Sequence, residues 1–242
     1  MVVLILAATG TAVATGLGAL PVLALGERAE ILRPILLGIA SGVMAVAAIA
    51  GLMEPALEMG SAASVLAGIA LGIGFLLGAR RLLQGPAVSG ADSPRPRRTA
   101  LLVFLVLLVH SFPEGFVIGT AYASDEAGLS LFVILAIAIQ NIPEGTSVAI
   151  PLAAAGAGAV KQIGAAIATS LPQPAGAVIA YLLVEAIAGL LPISFGFAAG
   201  AMLALVVVEL MPEALRGNRS MAWAGAALGA AGMWAVSLAL GV

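Results

Sequence analysis

LLVFLVLLVHSFPEGFVIGT, residues 101–120, is long and apolar enough to cross a bilayer, yet it holds an imidazole, His110, and a carboxyl, Glu114. A hydrocarbon core about 30 Å thick needs roughly 20 apolar residues in a helix. An ionisable group inside such a run is costly and marks function. The pattern His110-Ser111-Phe112-Pro113-Glu114-Gly115 returns as Gln140-Asn141-Ile142-Pro143-Glu144-Gly145. In each segment a ligand-capable side chain and a glutamate stand at i and i+4, on one face of a helix. Pro113 and Pro143 cannot donate to the carbonyls of Val109 and Ile139, so both helices are predicted to bend. Interrupted backbone at membrane depth is tolerated where it lines a cavity. Gly115 and Gly145 then predict a close approach of the two helices.

The composition around this stretch says the same about the solvent. Of 242 residues, 62% are apolar and 9% charged, against roughly 45–50% and 25% in a soluble domain. So little polar surface cannot cover a globule in water. The absence of cysteine excludes disulfides, iron–sulfur clusters and thiolate metal sites. A net charge of −2 argues against nucleic acid as a partner. The start, Met-Val-Val-Leu-Ile-Leu, has no positive region before its apolar run, so it reads as a retained helix rather than a secretory signal.

Charges and Gly/Pro punctuation divide the chain into eight predicted spans, near 2–25, 34–56, 61–83, 99–123, 128–155, 162–190, 193–215 and 220–241. The runs are continuous rather than alternating, which points to helices and not to a barrel. The expected fold is all-α: a polytopic membrane protein, residues 1–242 forming one transmembrane domain. All ten cations lie in or beside alternate connections: Arg28 and Arg33; Arg80, Arg81, Arg95, Arg97 and Arg98; Lys161; Arg216 and Arg219. Two of the remaining connections carry acids, Glu54 with Glu58 and Asp125 with Glu126. Positive residues mark the cytoplasmic side, so both termini are expected outside. Residues 84–98, rich in Gly, Pro, Ser and Arg, read as a flexible cytoplasmic loop. The short Ala/Gly-rich chain fits a bacterial inner membrane, with lipid as its surroundings. Small-residue spacings such as Gly68 to Gly72 read as helix packing and define no dimer face.

Together the fourth and fifth spans offer His110, Glu114, Gln140 and Glu144: one imidazole, two carboxylates and a carboxamide oxygen. Such an N/O set suits zinc, iron, manganese, cobalt or cadmium without choosing among them. Neither span contains a Lys or Arg to balance the glutamates. A pair of protonated carboxyls serving a proton relay is the competing reading. Glu209 reads either as a carboxylate on an exit path or as a helix-end acid. Met44 reads either as a soft ligand at an entrance or as core packing. Glu185 reads as a helix-end carboxylate that reaches water, and Glu213 as a solvated acid near the cytoplasmic face.

At these residues the chain resembles the ZIP (Zrt/Irt-like) family of divalent metal transporters, closest to its prokaryotic members. Besides the paired Pro-Glu-Gly segments, the resemblance rests on Ser170-Leu171-Pro172-Gln173-Pro174-Ala175-Gly176 and Glu209-Leu210-Met211-Pro212-Glu213-Ala214. It implies a bundle whose fourth and fifth helices carry a two-metal site. One position would use His110, Glu114, Gln140 and Glu144. The other would use Ser111, Asn141 and Gln173, with the two glutamates bridging. Glu209 would lie on the cytoplasmic exit path and Met44 at the outer entrance. Helices 1, 4, 5 and 6 would move against 2, 3, 7 and 8 in an elevator-like manner, commonly in a homodimer.

The chain departs from the family's pattern. Gln140 stands where His is usual, Ser111, Asn141 and Gln173 are all neutral, and the third connection has no histidine. Two dications about 4 Å apart repel by roughly 17 kcal/mol at an effective dielectric of about 20. Glu114 and Glu144 offset the charge of one. The expected cargo is therefore a single divalent ion at the His110 position. No nucleotide-binding loop is present, so the expectation is secondary, non-ATP transport of zinc first, iron or manganese second, with no prosthetic group and no enzymatic activity. An intramembrane metallohydrolase would need a general base and an open metal position, and the chain lacks a His-Glu-x-x-His helix. A transport-silent metal sensor or scaffold is the alternative that the neutral second position motivates.

Overall fold

The computed structural model describes residues 1–83, 96–187 and 189–242. Among the described residues every regular element is helical, as expected where no water is available to satisfy an open backbone. Eight helices are long and apolar enough to cross a membrane. They are α1 (Val2–Leu25), α2 (Ala29–Met59), α3 (Ala62–Leu83), α4 (Pro96–Ala123), α5 (Ala127–Ala154), α6 (Ala159–Ala186), α7 (Leu190–Arg216) and α8 (Arg219–Leu240).

The predicted spans and the helices agree to within a few residues, and the differences have causes. Helix α2 starts before Arg33, which was expected in a connection; there Arg33 pairs with Glu30 at 3.2 Å and with Glu213 at 2.8 Å. Of the predicted loop 84–98, residues 84–95 lie outside the described residues. Residues 96–98 already belong to α4, with Pro96 at a helix start, where its missing N–H costs nothing.

Three kinds of interruption shape the spans. Helix α1 breaks at Gly18 and α6 at Ser170-Leu171, just before Pro172 and Pro174. Helices α2 and α7 each widen into one π-turn, Ile49–Met53 and Val206–Leu210, shortly before Pro55 and Pro212. A proline deprives the carbonyl four residues earlier of its donor, and a wider turn is one way to accommodate it.

The most extensive helix contacts join α2 to α8, α3 to α7 and α4 to α6, while α5 touches α1, α2 and α4. Glycines allow the first two contacts: a side chain on Gly68 or Gly72 would strike the α7 carbonyls of Ile193 or Phe197. That places the Gly68 to Gly72 spacing in packing within the chain. Phe132, Phe195, Leu52, Ile118 and Met202 fill the main core. Phe75, Phe112, Phe116 and Phe197 bind α3, α4 and α7 through tilted and edge-on ring contacts.

Candidate metal site

Helices α4 and α5 turn the glutamates of their repeated segments toward each other. Glu114 and Glu144 are each 1% exposed, and their carboxyls are close neighbours. Among the described residues neither forms an ion pair with a lysine or arginine. Two like charges so close in a low-dielectric bundle are tolerable only with a proton or a cation between them.

Carboxamides surround Glu114. Gln140 donates through Nε2 to Oε1 at 2.9 Å, and Gln173 donates through Nε2 to Oε2 at 2.7 Å. The break in α6 places Gln173 in the first turn of its second half, fully buried against α4 and α5. Gln173 Oε1 in turn accepts from Thr11 Oγ1 at 2.9 Å and from Asn141 Nδ2 at 3.3 Å. Asn141 Nδ2 also donates to the Thr11 carbonyl at 2.8 Å. Ser111, one turn before Glu114, lies beside the same carboxyl, with its hydroxyl donating to the Leu107 carbonyl of its own helix at 3.0 Å.

Thr11 thus belongs to this cluster, and so does Thr15, whose hydroxyl lies 2.6 Å from that of Ser170. The sequence reading passed over both. Thr11 and Thr15, at i and i+4 among the three threonines of the first span, were the available signal.

His110 is turned elsewhere. Its Nε2 lies 3.6 Å from Glu209 Oε2 on α7, and its buried Nδ1 has no partner among the described residues. Glu144 Oε1 and Gln140 Oε1 are likewise buried and unpartnered, an uncommon state that calls for an unplaced donor or ion. The structure therefore gathers Glu114, Glu144, Gln140, Asn141 and Gln173 into one cluster and joins His110 to Glu209 beside it. Among the described residues no three His, Asp or Glu side chains form a group able to hold a metal. Amide oxygens would have to complete any cation's shell. Met44 is fully buried in the main core.

A cavity of about 440 Å³ lies between α4, α5 and α6, but it is lined by Ala100, Phe104, Leu152 and Lys161 and does not include the cluster. A smaller one of about 320 Å³ does, with Glu144, Ser147, Glu209, Leu107 and Arg33 in its walls. It leads from Glu144 past Glu209, which is 29% exposed, toward the end of the bundle that carries the basic connections. Glu213, expected to be solvated, is held there by Arg33 at 2.8 Å and Arg216 at 2.6 Å. Glu185 is exposed near the end of α6.

The two glycines of the motifs serve other contacts than the one expected. A side chain on Gly115 would strike the Gln173 backbone of α6, and one on Gly145 the Thr15 carbonyl of α1. The cause is helical geometry. At about 100° per residue, a glutamate aimed at one neighbour leaves the next residue facing another. The glycines thus bring α6 and α1 against the site rather than α4 against α5.

A family model described as ZIP Zinc transporter matches residues 88–237. Zinc transporter GufA of Myxococcus xanthus is 35% identical over 217 residues, 85% of each chain. Zinc transporter ZIPB of Bordetella bronchiseptica is 34% identical over 94% of this chain and 78% of its own. Zinc transporter ZupT of Corynebacterium glutamicum is 40% identical over 56% of this chain and 52% of its own.

Proposed function

The chain belongs to the ZIP zinc transporter family, and we propose that it carries a divalent transition-metal ion, zinc first, across a membrane without nucleotide hydrolysis. The observation that carries this reading is the meeting of Glu114 and Glu144, buried and, among the described residues, without a basic ion-pair partner, beside a cavity that leads past Glu209. The cargo would take oxygen from Glu144, Gln140 and Glu114, with His110 within the same helical face one turn away. Loading requires Glu114 to exchange an amide N–H contact for the cation. That makes the site a carrier with reversible occupancy rather than a permanent metal centre.

The grouping of helices favours an elevator-like movement. Every member of the polar cluster sits on α1, α4, α5 or α6, and these four pack on one another. Helices α2 and α8, and α3 and α7, pair tightly as a second group. The His110–Glu209 contact crosses between the groups and would break and re-form as they slide. Iron and manganese remain alternative cargoes, because the donor set is hard and nitrogen-poor. The basic connections are assigned to the cytoplasm by the positive-inside rule, with both termini outside in a bacterial inner membrane.

The test is zinc uptake into proteoliposomes containing the purified chain, with Glu144→Gln as control. Saturable flux that the substitution abolishes is the expected outcome. Zinc binding without flux under any gradient would instead identify a sensor or scaffold of the same fold, a reading that the amide-satisfied Glu114 keeps in play.

A further inference from the structure

Arg80, near the end of α3, is half-buried, and its guanidinium reaches across to α7. Nη1 donates to the Val208 carbonyl at 3.2 Å. Val208 lies shortly before Pro212, whose missing N–H leaves this stretch of α7 one backbone donor short. It also lies in the π-turn Val206–Leu210 that contains Glu209. The guanidinium therefore caps a backbone defect and, in doing so, fixes a positive charge beside the carboxylate on the inner cavity. Glu209 is the next residue after Val208 in that turn, and it contacts His110 at 3.6 Å. Arg33, the arginine in the wall of this cavity, is already engaged by Glu30 and Glu213.

We propose that Arg80 is a positioning residue for cation release: tethered to the Val208 carbonyl, its guanidinium weakens the hold of Glu209 and His110 on a dication leaving the inner cavity. The inference rests on the transport reading above and adds a residue and a role to it. A carboxylate and an imidazole at the end of a narrow route would trap a departing dication if nothing opposed them. Even with the full screening of water, a unit charge about 6 Å from a dication shifts its affinity by about tenfold. A fixed cation at this point trades binding strength for speed of release, which is the trade a carrier needs.

The experiment compares wild type, Arg80→Gln and Arg80→Lys in zinc flux from proteoliposomes and in equilibrium zinc binding to the detergent-purified chain. Loss of the charge in Arg80→Gln should lower KM and Vmax together, by up to about tenfold, and tighten equilibrium binding by a similar factor. Arg80→Lys should return both toward wild type, since it keeps the charge. The proposal is overturned if Arg80→Gln leaves KM and affinity unchanged, if it lowers Vmax while KM holds or rises, or if Arg80→Lys behaves like Arg80→Gln. Those are the signatures of a purely structural tether. Absence of flux in wild type would sink the transport reading instead, and the binding arm would still decide the role of Arg80.

Discussion

Gln173 Nε2 donates to Glu114 Oε2 at 2.7 Å, so an α6 amide occupies the side of the α4 carboxylate that faces away from Gln140. An N–H aimed at a carboxylate oxygen holds the lone pair that a second cation would use. On the proposed transport reading, the site then takes a single ion.

Elemental analysis of the purified chain after zinc saturation and desalting should return about one tightly held zinc per chain. Gln173→Glu replaces the N–H with a third carboxylate and should raise the count toward two. Without metal the same variant places like charges together in the bundle. Its melting temperature should fall well below that of wild type and recover when zinc is added. An unchanged count in Gln173→Glu would contradict this account of the amide.

Glu144→Gln preserves shape while removing one of the two facing charges. The variant should fold and melt within a few degrees of wild type, because an apposed pair of buried carboxyls contributes little stability. Zinc uptake should fall to background. Residual uptake at a tenth of wild type or more would show that Glu144 is not essential for holding the cargo.

Thr11 fixes the far end of the same amide through its hydroxyl, at 2.9 Å from Gln173 Oε1. Thr11→Val leaves that oxygen with only the longer contact from Asn141. Thermal or denaturant unfolding in detergent should show a loss of about 0.5–1.5 kcal/mol, the net worth of one buried hydrogen bond whose acceptor keeps a weaker donor. Thr11→Ser should recover most of it. Equal losses for Val and Ser would mean that packing, not the hydroxyl, matters there.

Gly115→Ala and Gly145→Ala each push a methyl group into the backbone of a neighbouring helix, α6 and α1 respectively. Backbone cannot swing aside as a side chain can, so each should cost about 1–3 kcal/mol or more and depress uptake. Gly10→Ala and Gly74→Ala, where nothing lies within 4 Å of the added carbon, should be neutral or slightly stabilising. A melting comparison of the four variants checks the contrast.

The sequence by itself determined the eight spans, because hydropathy and the alternation of basic connections act locally and are written residue by residue. It also determined that Glu114 and Glu144 lie in the membrane on adjacent helices, each one turn from a polar partner. The tertiary structure alone decided which surfaces meet. It sent Gly115 to α6 and Gly145 to α1, drew Gln173 onto Glu114 and Thr11 onto Gln173, turned His110 to Glu209, and set Arg80 on the Val208 carbonyl. The physical reason is that a helix's own hydrogen bonds are satisfied within its segment, whereas the rotation and depth of one helix against another depend on close contacts between distant residues. No local pattern in a single chain encodes those contacts.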